Sequence, residues 1–415
     1  MNKLDSVVLD NGLTIYFYPD KRRHSTFVQF VTLFGGLTKD FMYDGKEYHM
    51  PDGIAHILEH YIVECNDDGN FIESLGKREM NTNASTYYRM TRYYFNAVED
   101  IDFGIQTILK AVNNVSFTKE KLDKLKNPIY QEIRGKMDNK FYHSSIMAMD
   151  QLFHTISFRS IGGTLKEVES ITCKDLEICY KAFYQPKNQF IVIAGNYDKE
   201  GILSVINDFY QDRKIEKYEV KLLPIKEDIS VLKKENVLLF KTPEEYVEFS
   251  FKIDIHAFNP EEMMTLEYYL GNFYSQFFGL ISPLYKECVD EKIISKSIHA
   301  GGTLINSFII IQVGAYTHNP KKFKEKVLKT IEKRDSFNEE VFEVDKKDCM
   351  LRIALRDESI MGTVMPFVDN IVNYQYPFLD KVEDIKKMNF KDFVKTIQNL
   401  DLSNYTIVTI KEKKS

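Results

Sequence analysis

The hexapeptide Val115-Ser116-Phe117-Thr118-Lys119-Glu120 is echoed by Asp335-Ser336-Phe337-Asn338-Glu339-Glu340, and a shift of 220 residues relates the two. By pattern, both follow a strand and an amphipathic helix, and both open a long helix. The second half therefore reads as a degenerate copy of the first, and the chain must build one topology twice. Length agrees, because 415 residues exceed what a single hydrophobic core usually serves.

The elements support that division. Residues 6–18 predict a hairpin turning at Asp10-Asn11-Gly12, and residues 26–34 a strand ending at Gly35-Gly36. Residues 87–98 read as strand, 102–113 and 118–137 as helices, 189–195 as a buried strand and 199–211 as the helix behind it. The order then restarts, with strand over 247–255, helix over 260–277 and strand over 307–315. Helices over 320–334 and 338–357 and a last strand over 404–411 follow. The expected organisation is an N-terminal domain of residues 1–210, a charged, irregular linker over 211–236 containing Pro224, and a C-terminal domain of residues 237–415. Strands and helices mix without strict βαβ alternation, so the class is α+β.

The copy breaks at one place. Residues 56–60 read His56-Ile57-Leu58-Glu59-His60. At about 100° per residue, the two His lie roughly 40° apart around a helix with Glu59 on their other side, so all three leave one face. Asp52, after Pro51, is the expected N-cap. Ile54, Ile57, Leu58, Tyr61 and Ile62 form the opposite, apolar stripe. The matching stretch of the second half, around Leu266–Tyr274, contains no His, and the shift sets Glu132 against Arg352.

A lone His would read as a satisfied core or surface residue. Two His and a Glu on one helical face form H-x-x-E-H, the reversed zinc-hydrolase signature, with two ligands and a general base. Catalytic zinc takes three protein ligands and a water. The third must be a carboxylate, His or Cys brought in by the fold. Glu132 is the candidate, at the border of the stripe Leu122, Leu125, Ile129 and Ile133. On pattern alone it reads more readily as a surface Glu of a charged helix.

Hydrophobic content of 44% and charged content of 28% suit a globular protein. A net charge of −6 argues against a nucleic-acid partner. The clusters Lys21-Arg22-Arg23 and Lys411-Glu412-Lys413-Lys414 are short enough to be solvated faces. Cys65, Cys173, Cys179, Cys288 and Cys349 are odd in number and form no C-x-x-C pair, which points to reduced thiols in the cytoplasm. No apolar run reaches the roughly 18 residues of a membrane span. The first residues lead into an alternating segment without a signal-peptide core.

With these features in hand, the chain resembles the M16 zinc peptidases, the pitrilysin, insulinase and mitochondrial processing peptidase group. The resemblance covers nearly the whole chain. Besides Gly53-Ile54-Ala55 and the H-x-x-E-H that follows, it rests on Leu9-Asp10-Asn11-Gly12-Leu13, Asn83-Ala84-Ser85-Thr86 and Gln131-Glu132-Ile133. Ile161-Gly162-Gly163-Thr164, Phe183-Tyr184-Gln185-Pro186-Lys187-Asn188 and Ala194-Gly195-Asn196 continue it. The His-Glu-His motif is highly specific; the others are weak singly but match in order and spacing.

The resemblance implies two homologous α/β-sandwich halves of the M16 metallohydrolase type, and pairs of chains closing around an inner chamber. The family's third ligand is a Glu some seventy-odd residues past the second His, and Glu132 lies 72 past His60. The implied centre is Zn²⁺ on His56, His60 and Glu132, with Glu59 as general base. Asn83 and Ala84 would sit where an extended peptide adds as a strand; without the family, Asn83 reads equally as a turn residue. The implied activity is that of a zinc metalloendopeptidase acting on short or unfolded peptides, leader or precursor peptides among them.

Two features depart from the family pattern. Leu125 stands where many members carry a second Glu seven residues before the third ligand, and Pro128 predicts a kink. Val289 and Lys296 fall where active single-chain members carry an Arg and a Tyr that help hold substrate and the developing oxyanion. Residues 280–296 look closer to the zinc-bearing member of paired bacterial M16 proteins. The expected partner is therefore a second, metal-free M16-like chain supplying the pair, with a homodimer as the alternative. Members that have lost catalysis serve as structural or peptide-binding subunits, and the metal triad separates this chain from them. A purely structural zinc would need a fourth protein ligand, and Cys65 lies past the helix's active face.

Overall fold

The structure, a computed structural model, describes residues 4–154, 161–213, 219–379 and 381–413. The expected hairpin is β1 (Asp5–Val8) and β2 (Thr14–Pro19), followed by β3 (Thr26–Thr32). A second hairpin, β4 (Asp40–Tyr43) and β5 (Lys46–His49), leads into α1 (Ile54–Cys65) and α2 (Phe71–Gly76). Next come β6 (Asn81–Thr86), β7 (Thr91–Ala97), α3 (Ile101–Asn113), α4 (Lys119–Met137) and α5 (Lys140–Leu152). Then α6 (Leu165–Ser170), α7 (Cys173–Phe183), β8 (Gln189–Gly195) and α8 (Lys199–Tyr210) complete the first half.

Six of these strands form a sheet in the order β1-β2-β8-β3-β7-β6. Every residue of β3 and β8 is buried, because the sheet is covered on both sides. Val28, Phe30, Ile191 and Ile193 face the core shared with α1, α3, α4, α7 and α8. Phe27, Val31, Phe190 and Val192 face the other way. Strands covered twice read as continuous apolar runs rather than alternating ones.

After β9 (Val220–Leu222) come β10 (Glu235–Phe240), β11 (Tyr246–Asp254), α9 (Pro260–Phe278) and α10 (Pro283–Asp290). They are followed by β12 (His299–Ile305), β13 (Phe308–Tyr316), α11 (Pro320–Lys333), α12 (Glu339–Arg356) and α13 (Ile360–Tyr374). The chain ends with α14 (Val382–Lys387), α15 (Phe390–Asn399) and β14 (Tyr405–Glu412). β9 pairs with β4 in a small sheet, β5-β4-β9, so part of the segment read as a linker is stitched to the first half.

The second large sheet runs β10-β14-β11-β13-β12. Without β1, the first sheet has the same order, and each has its parallel pair in the same place, β2 with β8 and β10 with β14. One topology is built twice.

Ring contacts fix the register of the copy. Tyr61 of α1 meets Phe117 at 4.9 Å, and Phe277 of α9 meets Phe337 at 5.1 Å. Phe117 and Phe337 are partners under the shift of 220. Tyr61 therefore corresponds to Phe277, and Asn272 and Gln276 stand opposite His56 and His60. The counterpart of the motif is residues 272–276, which overlap the end of the expected stretch 266–274 and run two residues past it, because α9 has 19 residues against 12 in α1 and its extra turns precede the matching face.

Two helices cross between the halves. α13 packs Ile360, Val364, Phe367 and Val368 on the outer face of the first sheet. Arg23 donates to the carbonyls of Asp357 and Glu358 just ahead of it. In exchange, α5 lies on the outer face of the second sheet, with Met149 and Leu152 against Phe308 and Ile310. Beside them the Lys252 ammonium, fully buried, donates to Leu152 O at 3.0 Å, Glu227 Oε1 at 2.7 Å and Asp228 O at 2.6 Å.

Candidate metal centre

α1 begins one residue later than expected. Its N-cap is Gly53, with φ of +90° and no side-chain cap; Asp52 pairs with Lys39 instead. A Cβ on Gly53 would meet Gly162 O at 2.6 Å, and one on Gly163, at φ +71°, would meet Asp52 O at 2.5 Å. Two backbones lie in contact here, which only glycine permits, and the start of α1 is held against residues 162–163.

From that anchor α1 buries Ile54, Ile57, Leu58, Tyr61 and Ile62 as its pattern requires. On the other face the rings of His56 and His60 lie 4.7 Å apart and nearly perpendicular, at 88°. α4 buries Leu122, Leu125, Ile129 and Ile133 and brings Glu132 over the two rings. It runs through Pro128 as a single helix. Glu132 Oε2 is 3.7 Å from His56 Nε2 and 3.8 Å from His60 Nε2.

Those separations are too long for hydrogen bonds. They suit three ligands of one ion, since atoms about 2.1 Å from a tetrahedral centre lie about 3.4 Å apart. One ligand atom from each of the three residues falls within 4.8 Å of the others. Two imidazoles and a carboxylate are also the donor set of an open, catalytic zinc site. The residues present fit such an ion.

The electrostatics follow from burial. Burial, seconded by His60, lowers His56 to about 4, so its imidazole is neutral near pH 7, as a ligand must be. Burial raises Glu59 against the Thr86 hydrogen bond. Burial would also raise Glu132, but the Lys136 hydrogen bond and the two His rings outweigh it and the carboxyl is lowered. Glu59 is 7% exposed, and the Thr86 hydroxyl donates to its Oε2 at 2.6 Å.

Other predicted residues fall as follows. Asn83 and Ala84 lie in β6, paired with Tyr94 and Tyr93, and line the same cleft of about 480 Å³ as His56, Glu59, His60 and Glu132. β6 is an edge strand. Val289 is exposed on α10, and Lys296 Nζ lies 4.5 Å over the Tyr316 ring; neither lines the cleft. Three residues of the site were not singled out from the sequence: Thr86, Glu64 and Lys136. Glu64 Oε1 is 3.1 Å from His60 Nδ1, and Lys136 Nζ is 2.6 Å from Glu132 Oε1. Each stands four residues after a ligand on the same helix, and that spacing was the available signal.

This arrangement has relatives. Residues 43–160 match the family model described as Insulinase (Peptidase family M16), and residues 170–347 match Peptidase M16 inactive domain. The chain belongs to the M16 peptidase family. It is similar to "Uncharacterized zinc protease YmfH" of Bacillus subtilis (strain 168), at 28% identity over 330 residues, 77% of this chain and 75% of that one. It is also similar to "Zinc protease PqqE" of Helicobacter pylori, at 21% identity over 428 residues, 94% of this chain and 91% of the other. Among solved structures, an M16-like peptidase from Alicyclobacillus acidocaldarius shares the fold with a TM-score of 0.90, at 24% identity and 99% coverage of each chain.

Proposed function

We propose that this chain is a zinc metalloendopeptidase, with His56, His60 and Glu132 as ligands and Glu59 as general base. The observation that carries the reading is the convergence of three ligand atoms within 4.8 Å beside a buried carboxylate that is not one of them. Zinc held there would supply Lewis acidity, polarising the scissile carbonyl and lowering the pKa of a water toward neutrality. Glu59 does the proton work. Its Oε2 is engaged by Thr86, so Oε1 takes the proton of the attacking water and returns it to the leaving amine. Burial, which raises this carboxyl, brings it nearer the working pH of a base.

Substrate is an extended peptide that adds to the free edge of β6 past Asn83 and Ala84, held by backbone hydrogen bonds that read little sequence. Short or unfolded peptides meet that requirement, leader peptides included. A second M16-like chain closes the chamber and supplies the Arg and Tyr missing at Val289 and Lys296. The proposed division into residues 1–210 and 237–415 leaves one large sheet in each part apart from the first two residues of β10, and five free thiols suit the cytoplasm.

Glu59→Gln tests the base. The variant should keep its zinc and lose peptide hydrolysis; full activity would sink the assignment. Glu132→Ala should lose bound metal by elemental analysis. A second reading, a non-catalytic peptide-binding subunit, draws on the match of residues 170–347 to the inactive-domain model. Cleavage of a peptide library, assayed with and without an M16-like partner, separates the two readings, and cleavage by this chain alone would remove the need for the partner.

A further inference from the structure

We infer that Glu64 is the positioning residue of this centre: its carboxylate holds the outer ring nitrogen of His60 and so decides which nitrogen faces the metal. The inference rests on the zinc reading above. His60 Nδ1 lies 3.1 Å from Glu64 Oε1. An ionised carboxylate only accepts, so Nδ1 carries the hydrogen and donates it. Nε2 keeps its lone pair, and Nε2 is the atom that faces Glu132 Oε2 at 3.8 Å. The tautomer a ligand needs is thus set by a side chain one helical turn further along α1, where the i, i+4 spacing brings the two together.

The rest of the site leaves that task to Glu64. Across from α1, α4 presents Leu125, 2% exposed within the apolar core, and carries no polar group to either ring's outer nitrogen among the described residues. The other outer nitrogen, His56 Nδ1, is buried without a hydrogen-bond partner. Among the described residues, only the imidazole of His60 is oriented by an acceptor of the protein. Glu64 itself is 37% exposed, so the fold makes little use of its side chain. A carboxylate behind a ligand His raises the ring's basicity and locks its rotation, and loss of such a partner typically costs 10- to 100-fold in metal affinity.

The test is zinc affinity of the full chain, stripped of metal and titrated against a chromophoric chelator. The parent should take up one zinc. Glu64→Leu should weaken binding about 10- to 100-fold. Glu64→Gln, whose amide oxygen still accepts from Nδ1–H, should recover most of that loss. The metal-free Glu64→Leu chain should melt where the metal-free parent does. Parent-like zinc affinity in Glu64→Leu overturns this inference and leaves the zinc reading standing. A metal-free variant melting several degrees lower would assign Glu64 to the fold and overturn it too. A parent that takes up no zinc overturns both.

Discussion

Thr86 offers a single hydroxyl to a carboxylate with almost no contact with water. A hydrogen bond to a charged group contributes about 1.5–3 kcal/mol, which corresponds to about 10- to 100-fold in rate if it serves the transition state. Thr86→Val should therefore lower kcat by that range while zinc content stays at the parent's value, and Thr86→Ser should restore it. Steady-state peptide hydrolysis with metal analysis checks this; an unchanged kcat would leave Glu59 positioned by its burial and the Thr86 backbone. The sequence exposed His56, Glu59 and His60 because all three fall within five residues, where helical periodicity alone supplies the geometry. Glu132 needed spacing and family resemblance, since 72 residues of fold separate it from His60. Thr86 stayed hidden because β6 carries it to α1 through tertiary packing, which no local pattern encodes.

At the scale of elements, the anchor of α1 is its most sensitive point. Gly53→Ala puts a side chain at φ +90° and 2.6 Å from a carbonyl oxygen, so either the helix start or residues 162–163 must move. Strain of this kind costs about 1–3 kcal/mol. The variant should unfold at lower urea and lose activity out of proportion to that loss, because His56 is three residues away. A stability within error of the parent would mean that the contact is slack.

The elements that the sequence concealed share a physical cause. β12 carries Gly301 and Gly302, poor strand formers that only their pairing with β13 holds extended. α13 contains Pro366, a helix breaker by itself, yet its apolar face is matched to a sheet some 170 residues upstream or more. α5 is half polar because it lies on a sheet face that carries Glu248 and Lys252. Pattern reads what a segment prefers alone; these three are decided by partners distant in sequence.

For the whole molecule, that polar layer makes stability depend on pH. Burial pushes Glu248 up to about 7, although Tyr246 and Gln312 donate to it. Its folded value lies above the ordinary 4.5, so the fold retains the proton longer than the unfolded chain does. Below pH 4.5 both states are protonated and nothing is lost. As pH rises from there to about 7 the unfolded state ionises first and stability falls, by about 3 kcal/mol once the folded group has ionised as well. Glu248→Gln should match the parent near pH 4.5 and exceed it increasingly toward pH 8 in urea melts; parallel curves would assign the dependence to other groups. Lys252 bears on the same interface. Lys252→Met leaves the buried Glu227 carboxylate with the His154 N–H but without its ammonium counter-charge, which should cost about 3–5 kcal/mol by the same melts, and Glu227→Gln added to it should return part of that loss.

The exchange of α13 for α5 has a consequence for how the chain comes into being. Each half wears on its outer sheet face a helix encoded by the other. A ribosome that has delivered the first half holds a sheet whose Phe27, Val31 and Phe190 still wait for a helix beginning at Ile360. Neither half can finish its core alone, so the duplicated domains have become a single cooperative unit. Expressed apart, each should aggregate through its bare sheet face, and mixing the two should rescue both.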